Sequence, residues 1–200
     1  RMSVDVDCDE RAKREIYLAG FERAVKKGKP WTVMCSYTKI DGVYSSENPW
    51  LLRDVLRGEW GFDGFTVTDW GACNDHVKGI AAGLNLSMPS LGDAADQEVV
   101  RAVREGRLDE SVVDEAVEKI LTIIARYADN RRVDPDFSLG VQHHLARKAA
   151  RESAVLLKND DLLPLASKGR IAFIGAFAKE PRYQGGGSSH INASELTTAL

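Results

Sequence analysis

Short β-prone runs alternate with amphipathic stretches along residues 31–104, and that order constrains the fold more than any other feature. Trp31 to Ser36, Phe65 to Thr68 and Leu84 to Met88 are runs of four to six residues of the kind that fill buried strands. Between them lie segments with helical apolar spacing, each long enough for a crossover. Strands joined by such crossovers lie parallel, which predicts an α/β chain. Three strands are too few to close a barrel, which takes eight strands and about 250 residues.

The helix boundaries follow from local signals. Asp9 to Lys27 has an apolar side containing Ile16, Phe21 and Val25, and Gly28 and Pro30 end it. Asp41-Gly42 is a turn signal. A helix over Pro49 to Arg57 is expected, with Asn48 as its cap. Asp75 to Ala82 is a short helix stopped by Gly83, and Asp93 to Arg104 is another. Asp109 caps a longer helix running to Tyr127, with Val112, Val113, Ala116, Val117, Ile120, Leu121 and Ile124 as its stripe. Residues 129–140, with Asp134-Pro135-Asp136 at the centre, break periodicity and are expected to link two domains, 1–128 and 141–200. In the second, Gln142 to Leu157 is helical and Ile171-Ala172-Phe173-Ile174 is expected to be a buried strand.

The densest chemical signal is Gly61-Phe62-Asp63-Gly64-Phe65-Thr66-Val67-Thr68-Asp69-Trp70-Gly71-Ala72. A β-prone run ends in a carboxylate, followed at once by an aromatic and a glycine. Catalytic groups of parallel barrels sit where strands end. A carboxylate beside an aromatic wall is what glycoside chemistry asks for. Asp69 is therefore a candidate nucleophile. Asp is also a common helix cap, and the local pattern alone leaves both readings open.

The same segment, preceded by Leu56-Arg57-Gly58-Glu59-Trp60, resembles the signature of glycoside hydrolase family 3, matching it at Thr68-Asp69-Trp70-Gly71. Met34-Cys35-Ser36-Tyr37 and Leu86-Ser87-Met88-Pro89 are similar to two strand ends of that family. Glu152 to Asn159, followed by Leu163-Pro164-Leu165, resembles the entry to its second domain, and Gly185-Gly186-Gly187-Ser188-Ser189 a glycine-serine loop there. The resemblance implies the later half of a (β/α)8 TIM-type barrel followed by the start of an α/β sandwich domain. It implies a retaining exo-β-glycosidase, above all a β-glucosidase acting on terminal non-reducing β-D-glucosyl residues, with a glycosyl-enzyme on Asp69. β-Xylosidase, N-acetyl-β-glucosaminidase and a non-catalytic carbohydrate-binding relative are the rivals.

By the same resemblance Tyr37 lies beside the nucleophile, Trp70 supplies an apolar wall for a sugar face, and Met34 lines the pocket. Substrate-binding roles are thus expected for Tyr37, Trp70 and Met34. The family's Asp and Glu before the Met-Pro are replaced here by Asn85 and Ser87, and the usual Asn after Tyr37 by Thr38. The acid/base Glu is expected outside these 200 residues. The remaining barrel strands and the second domain are then needed for activity, and the chain alone is expected to be inactive. Neither metal nor organic cofactor is expected, and His76, His143 and His144 have no ligand-spaced partners.

A net charge of -3, with basic and acidic residues interleaved, gives no electrostatic case for nucleic acid or for an anionic membrane. No apolar run approaches the roughly 18 residues of a membrane span. The expected partner is a β-linked oligosaccharide or aryl glycoside, and homo-oligomerisation is left open. Cys8, Cys35 and Cys73 form no zinc or C-x-x-C pattern and fit free thiols in a reducing, cytoplasmic setting. Cys73, four residues after Asp69, is a candidate for the pocket rim.

Overall fold

Four residues, Thr32–Cys35, form β2, and four more, Phe65–Thr68, form β5; they pair in parallel with Thr32 opposite Phe65 and Cys35 opposite Thr68. Leu86 adds a parallel bridge to Val67 on the far side of β5. The computed structural model describes residues 2–131, 137–166 and 168–200, and the chain divides into two units, 1–135 and 136–200.

In the first unit a helical run, α1, covers residues 10–28 and alternates α-helical and π-helical turns. The π-helical α2, Trp50–Glu59, connects β2 to β5. Asn48 caps it as expected, its side chain accepting the Leu51 N–H at 3.1 Å. Three helices follow: α3, His76–Ala82; α4, Asp93–Arg104; and α5, Glu110–Asn130. Parallel strands with helical crossovers make this an α/β arrangement.

A small second sheet was not anticipated. β1, Asp5–Val6, runs parallel to β3, Lys39–Ile40, which pairs antiparallel with β4, Val43–Tyr44. The connection is the expected Asp41-Gly42 turn, with φ of 51° and 83°. Positive φ at both central residues is the two-residue hairpin geometry that Asp-Gly favours.

The core lies on one face of the β2–β5 pair. Cys35 from β2 packs with Leu52, Val55 and Leu56 of α2, and with Trp60, Phe62, Cys73 and Leu84. Thr66 and Thr68 of β5 are buried, at 0% and 3% exposure. Thr32 and Met34, on the opposite face, are exposed. The strand at Trp31 to Ser36 was expected to be buried, and it is covered on one side only. Gly64 sets the approach of the two strands: a Cβ there would lie 2.0 Å from the Trp31 carbonyl oxygen.

A second cluster joins Ile80 of α3, Val99 and Ala102 of α4, and Leu108, with Val112 and Val113 of α5 against it. Val117, Leu121 and Ile124 of the expected α5 stripe are exposed. Ile120 is half-buried and Ile123, outside the expected stripe, is buried, so the covered face of α5 is rotated from the expected one. Leu84 to Met88 was expected as a strand, yet it makes only the Leu86 bridge. The Asn85 side chain takes the Thr66 N–H that a neighbouring backbone carbonyl would otherwise receive.

The second unit contains α6, Leu139–Ser153, and two single 3₁₀ turns, Ala176–Ala178 and Gly187–Ser189. Ile171 to Ile174 is not a buried strand: the segment is unpaired, and Ile174 is 95% exposed. A strand of that apolar character needs neighbours on both edges and both faces, and none of the described residues of this unit forms a strand. The linker expected at 129–140 lies in part on residues 132–136, outside the described residues. No helix among the described residues is long and apolar enough to cross a membrane.

Candidate active site

Asp69 is the first residue beyond β5. Its N–H donates to the Cys35 carbonyl at 3.2 Å, extending the ladder to β2 by one bond. Its own carbonyl accepts the Ala72 N–H at 2.9 Å, closing a four-residue turn. Gly71 stands at the third position with φ +79°, the conformation a type II turn reserves for glycine. Within this turn the Asp69 Oδ1 accepts the Trp70 N–H at 2.6 Å. One carboxylate oxygen is held by the backbone, and the side chain is half-buried.

The capping alternative for Asp69 is excluded. The next helix, α3, begins at His76 and is capped by Asp75, whose side chain accepts the Lys78 N–H at 3.0 Å. That bond, more than any other influence, holds the Asp75 carboxyl below the usual carboxylate range.

Tyr37 and Trp70 are brought together with Asp69. The Tyr37 hydroxyl donates to the Trp70 carbonyl at 3.0 Å, and the Trp70 indole is 61% exposed at the strand end. Met34 lies opposite Val67 in register, also 61% exposed. It lines an apolar cavity of about 300 Å³ with Tyr17, Phe21, Leu51 and Leu56, which includes none of Asp69, Tyr37 and Trp70.

Cys73 does not rim this site; it is buried in the core beside α2. Burial pushes its thiol pKa up, and pushes that of Cys35 up to about 12. Asn85 also sits away from the strand end. Its Oδ1 accepts from Arg57 Nη2 at 2.7 Å, from the Thr66 N–H at 2.7 Å and from the Thr66 hydroxyl at 3.0 Å. Among the described residues, no three His, Cys, Asp or Glu side chains converge as a metal site would require.

Two supports of the 69–75 loop escaped the sequence reading. The buried Ser46 hydroxyl donates to the Ala72 carbonyl at 2.8 Å. Glu47 Oε1 accepts the N–H groups of Asn74 and Asp75 at 3.2 and 2.9 Å. Nothing in the Ser45-Ser46-Glu47 run advertises this, because the contact joins residues that are 26 to 28 positions apart.

Residues 3–123 match the glycosyl hydrolase family 3 N-terminal domain, and residues 154–200 match the C-terminal domain of that family. The chain is 53% identical to thermostable beta-glucosidase B of Acetivibrio thermocellus, over 98% of this chain and 26% of that protein. It is 46% identical to an exo-alpha-(1->6)-L-arabinopyranosidase of Bifidobacterium breve, over 100% of this chain and 28% of that protein. The GH3 beta-glucosidase of Bifidobacterium adolescentis superposes with a TM-score of 0.88 at 44% identity, covering 99% of this chain and 29% of that one. The chain thus spans about a quarter of the length of the relatives it matches. With the N-terminal domain matched across more than half of the residues and Thr68-Asp69-Trp70-Gly71 at a strand end, the chain belongs to glycosyl hydrolase family 3.

Proposed function

We propose that the polypeptide carrying these residues is a retaining exo-β-glycosidase, a β-glucosidase, with Asp69 as its nucleophile. The observation that carries this reading is the placement of Asp69 immediately beyond β5, with one carboxylate oxygen bound by the Trp70 N–H. The carboxylate attacks the anomeric carbon and forms a glycosyl-enzyme as the leaving oxygen is protonated. Water then releases the sugar with net retention. The protonating carboxyl belongs to another part of the polypeptide. Trp70 offers an apolar wall to a sugar face, Tyr37 fixes the turn, and Met34 adds apolar surface on the same strand end.

Residues 1–128 form the later part of a (β/α)8 barrel and residues 141–200 the beginning of an α/β sandwich domain. Activity requires the remaining strands and the rest of the second domain. The uncovered face of β2 supports this, because Met34 is exposed on a strand that a closed barrel would fill with side chains.

A second reading changes only the sugar. The Bifidobacterium breve relative is an exo-alpha-(1->6)-L-arabinopyranosidase, so an arabinopyranosyl substrate is the alternative.

The test is to treat the complete polypeptide with 2-deoxy-2-fluoro-β-glucosyl fluoride and map the labelled peptide by mass spectrometry. An adduct on the Asp69 peptide is expected. Labelling only by the arabinopyranosyl analogue moves the substrate to the second reading. No labelling of a folded protein by either removes Asp69 as nucleophile.

A further inference from the structure

Thr68 is the last residue of β5 and is 3% exposed. Its hydroxyl has a double engagement with one residue across the gap. Oγ1 accepts the Met88 N–H at 2.8 Å and donates to the Met88 carbonyl at 3.2 Å. The same carbonyl accepts the Gly71 N–H at 2.9 Å. The backbone of Thr68 still pairs normally, its N–H donating to the Leu86 carbonyl at 3.0 Å. Past Leu86 the two chains part, and the Thr68 side chain takes over the pairing that the backbone no longer makes.

These bonds surround Asp69. On one flank its N–H is tied to Cys35, and on the other Gly71 is tied to Met88. The Met88 carbonyl can hold Gly71 only while it is itself oriented, and the Thr68 hydroxyl orients it. A hydroxyl is required because it must donate and accept at one point. Valine has nearly the same shape and does neither.

We propose that the Thr68 hydroxyl is a positioning residue for the nucleophile: it clips residue 88 to the end of β5 and so fixes the turn that carries Asp69. This rests on the reading of Asp69 as nucleophile. A catalytic group displaced by about 1 Å loses on the order of 100-fold in rate, while sugar binding through other groups is little changed.

The experiment compares wild type, Thr68→Val and Thr68→Ser in the complete polypeptide. It measures kcat, KM, labelling of Asp69 by the fluoroglycoside, and melting. Thr68→Val is expected to lose about 100-fold in kcat with KM within about threefold, and Thr68→Ser to recover to within about threefold of wild type. If Thr68→Val does not fold, Thr68→Cys replaces it, since a thiol fills the space and hydrogen-bonds weakly. A hydroxyl-free variant with wild-type kcat, while wild type is labelled at Asp69, overturns the role of Thr68 and leaves the nucleophile standing. Equal losses in Thr68→Ser and the hydroxyl-free variant also overturn it, because they assign the effect to packing of the methyl group. A wild type that no glycosyl reagent labels removes the nucleophile reading and this proposal with it.

Discussion

The hydroxyl of Tyr37 donates a 3.0 Å hydrogen bond to the carbonyl oxygen of Trp70, one residue past the candidate nucleophile. The Asp69 N–H donates to the Cys35 carbonyl, so the strand end at β2 holds the Asp69 turn at two points. Tyr37 acts on the backbone here, and its bond fixes the direction in which the turn leaves the sheet. Tyr37→Phe keeps the ring and removes the bond. It is expected to cost about 1 kcal/mol of stability and on the order of 10-fold to 100-fold in kcat. Paired melting and steady-state rates on the complete polypeptide check this. A Tyr37→Phe enzyme with unchanged turnover would leave Tyr37 no part in orienting Asp69.

Asn85 is expected to matter for stability and not for substrate selection. Its single acceptor oxygen serves the Arg57 guanidinium and both donors of Thr66. Arg57 is half-buried, and that desolvation lowers its pKa. Asn85→Ala removes this acceptor from the half-buried Arg57, which keeps its bond to the Gly64 carbonyl, and from the buried Thr66 amide, which predicts a loss of about 1–3 kcal/mol in urea unfolding. Asn85→Asp keeps the acceptor and adds a charge opposite Arg57, so it is expected to unfold no earlier than wild type at neutral pH. A loss below about 0.5 kcal/mol for Asn85→Ala would show that water replaces the amide without penalty.

Much of the site was legible because its signals are local. Gly83 as stop with φ +106° and Phe65–Thr68 as a strand ending at Asp69 both depend on neighbours within a few positions, whereas Asp75, expected inside its helix, is the cap. The hairpin of β3 and β4 was missed apart from its turn, because two residues per strand are too few to show alternation. The clip between Thr68 and Met88 and the grip of Glu47 on residues 74–75 join segments at least 20 positions apart, where no periodicity reports them. Ile171 to Ile174 shows the opposite failure. Its pattern states what the segment would do inside a sheet, and the described residues of that unit form no strand to receive it.

The cap at Asp75 predicts a pH dependence. Its carboxyl is held below the usual carboxylate range, first by the hydrogen bond from the Lys78 N–H. The folded value therefore lies below the unfolded one, near 4. The stabilisation is complete above that unfolded value and is lost as pH falls through the folded one. The side chain is 40% exposed, so solvent screening limits the contribution to about 1 kcal/mol. Unfolding free energy is expected to fall as pH is lowered through the unfolded value of about 4 and below it. Asp75→Asn keeps a capping oxygen without a titrating group, and is expected to flatten part of that fall. Identical pH profiles for the two proteins would mean that Asp75 contributes no linked stability.

The three thiols are expected to separate by reactivity. Only the thiolate is nucleophilic, so burial that raises a thiol pKa also silences it. Cys35 is pushed up to about 12, chiefly by burial and further by the neighbouring Cys73. Cys73 is raised by its own burial, which the Ser87 hydroxyl only partly offsets. Cys8 is half-exposed. Iodoacetamide at neutral pH is therefore expected to alkylate Cys8 in the folded protein and to reach Cys35 and Cys73 only in urea, as read by peptide mass mapping. Mild alkalinity still lies below the raised Cys35 value, so it should leave Cys35 unlabelled in the folded state. Alkylation of Cys73 at the rate of Cys8 would put that thiol back at the rim of the Asp69 site. The core of α2, β2 and Leu84 would then have to open far more readily than its packing indicates.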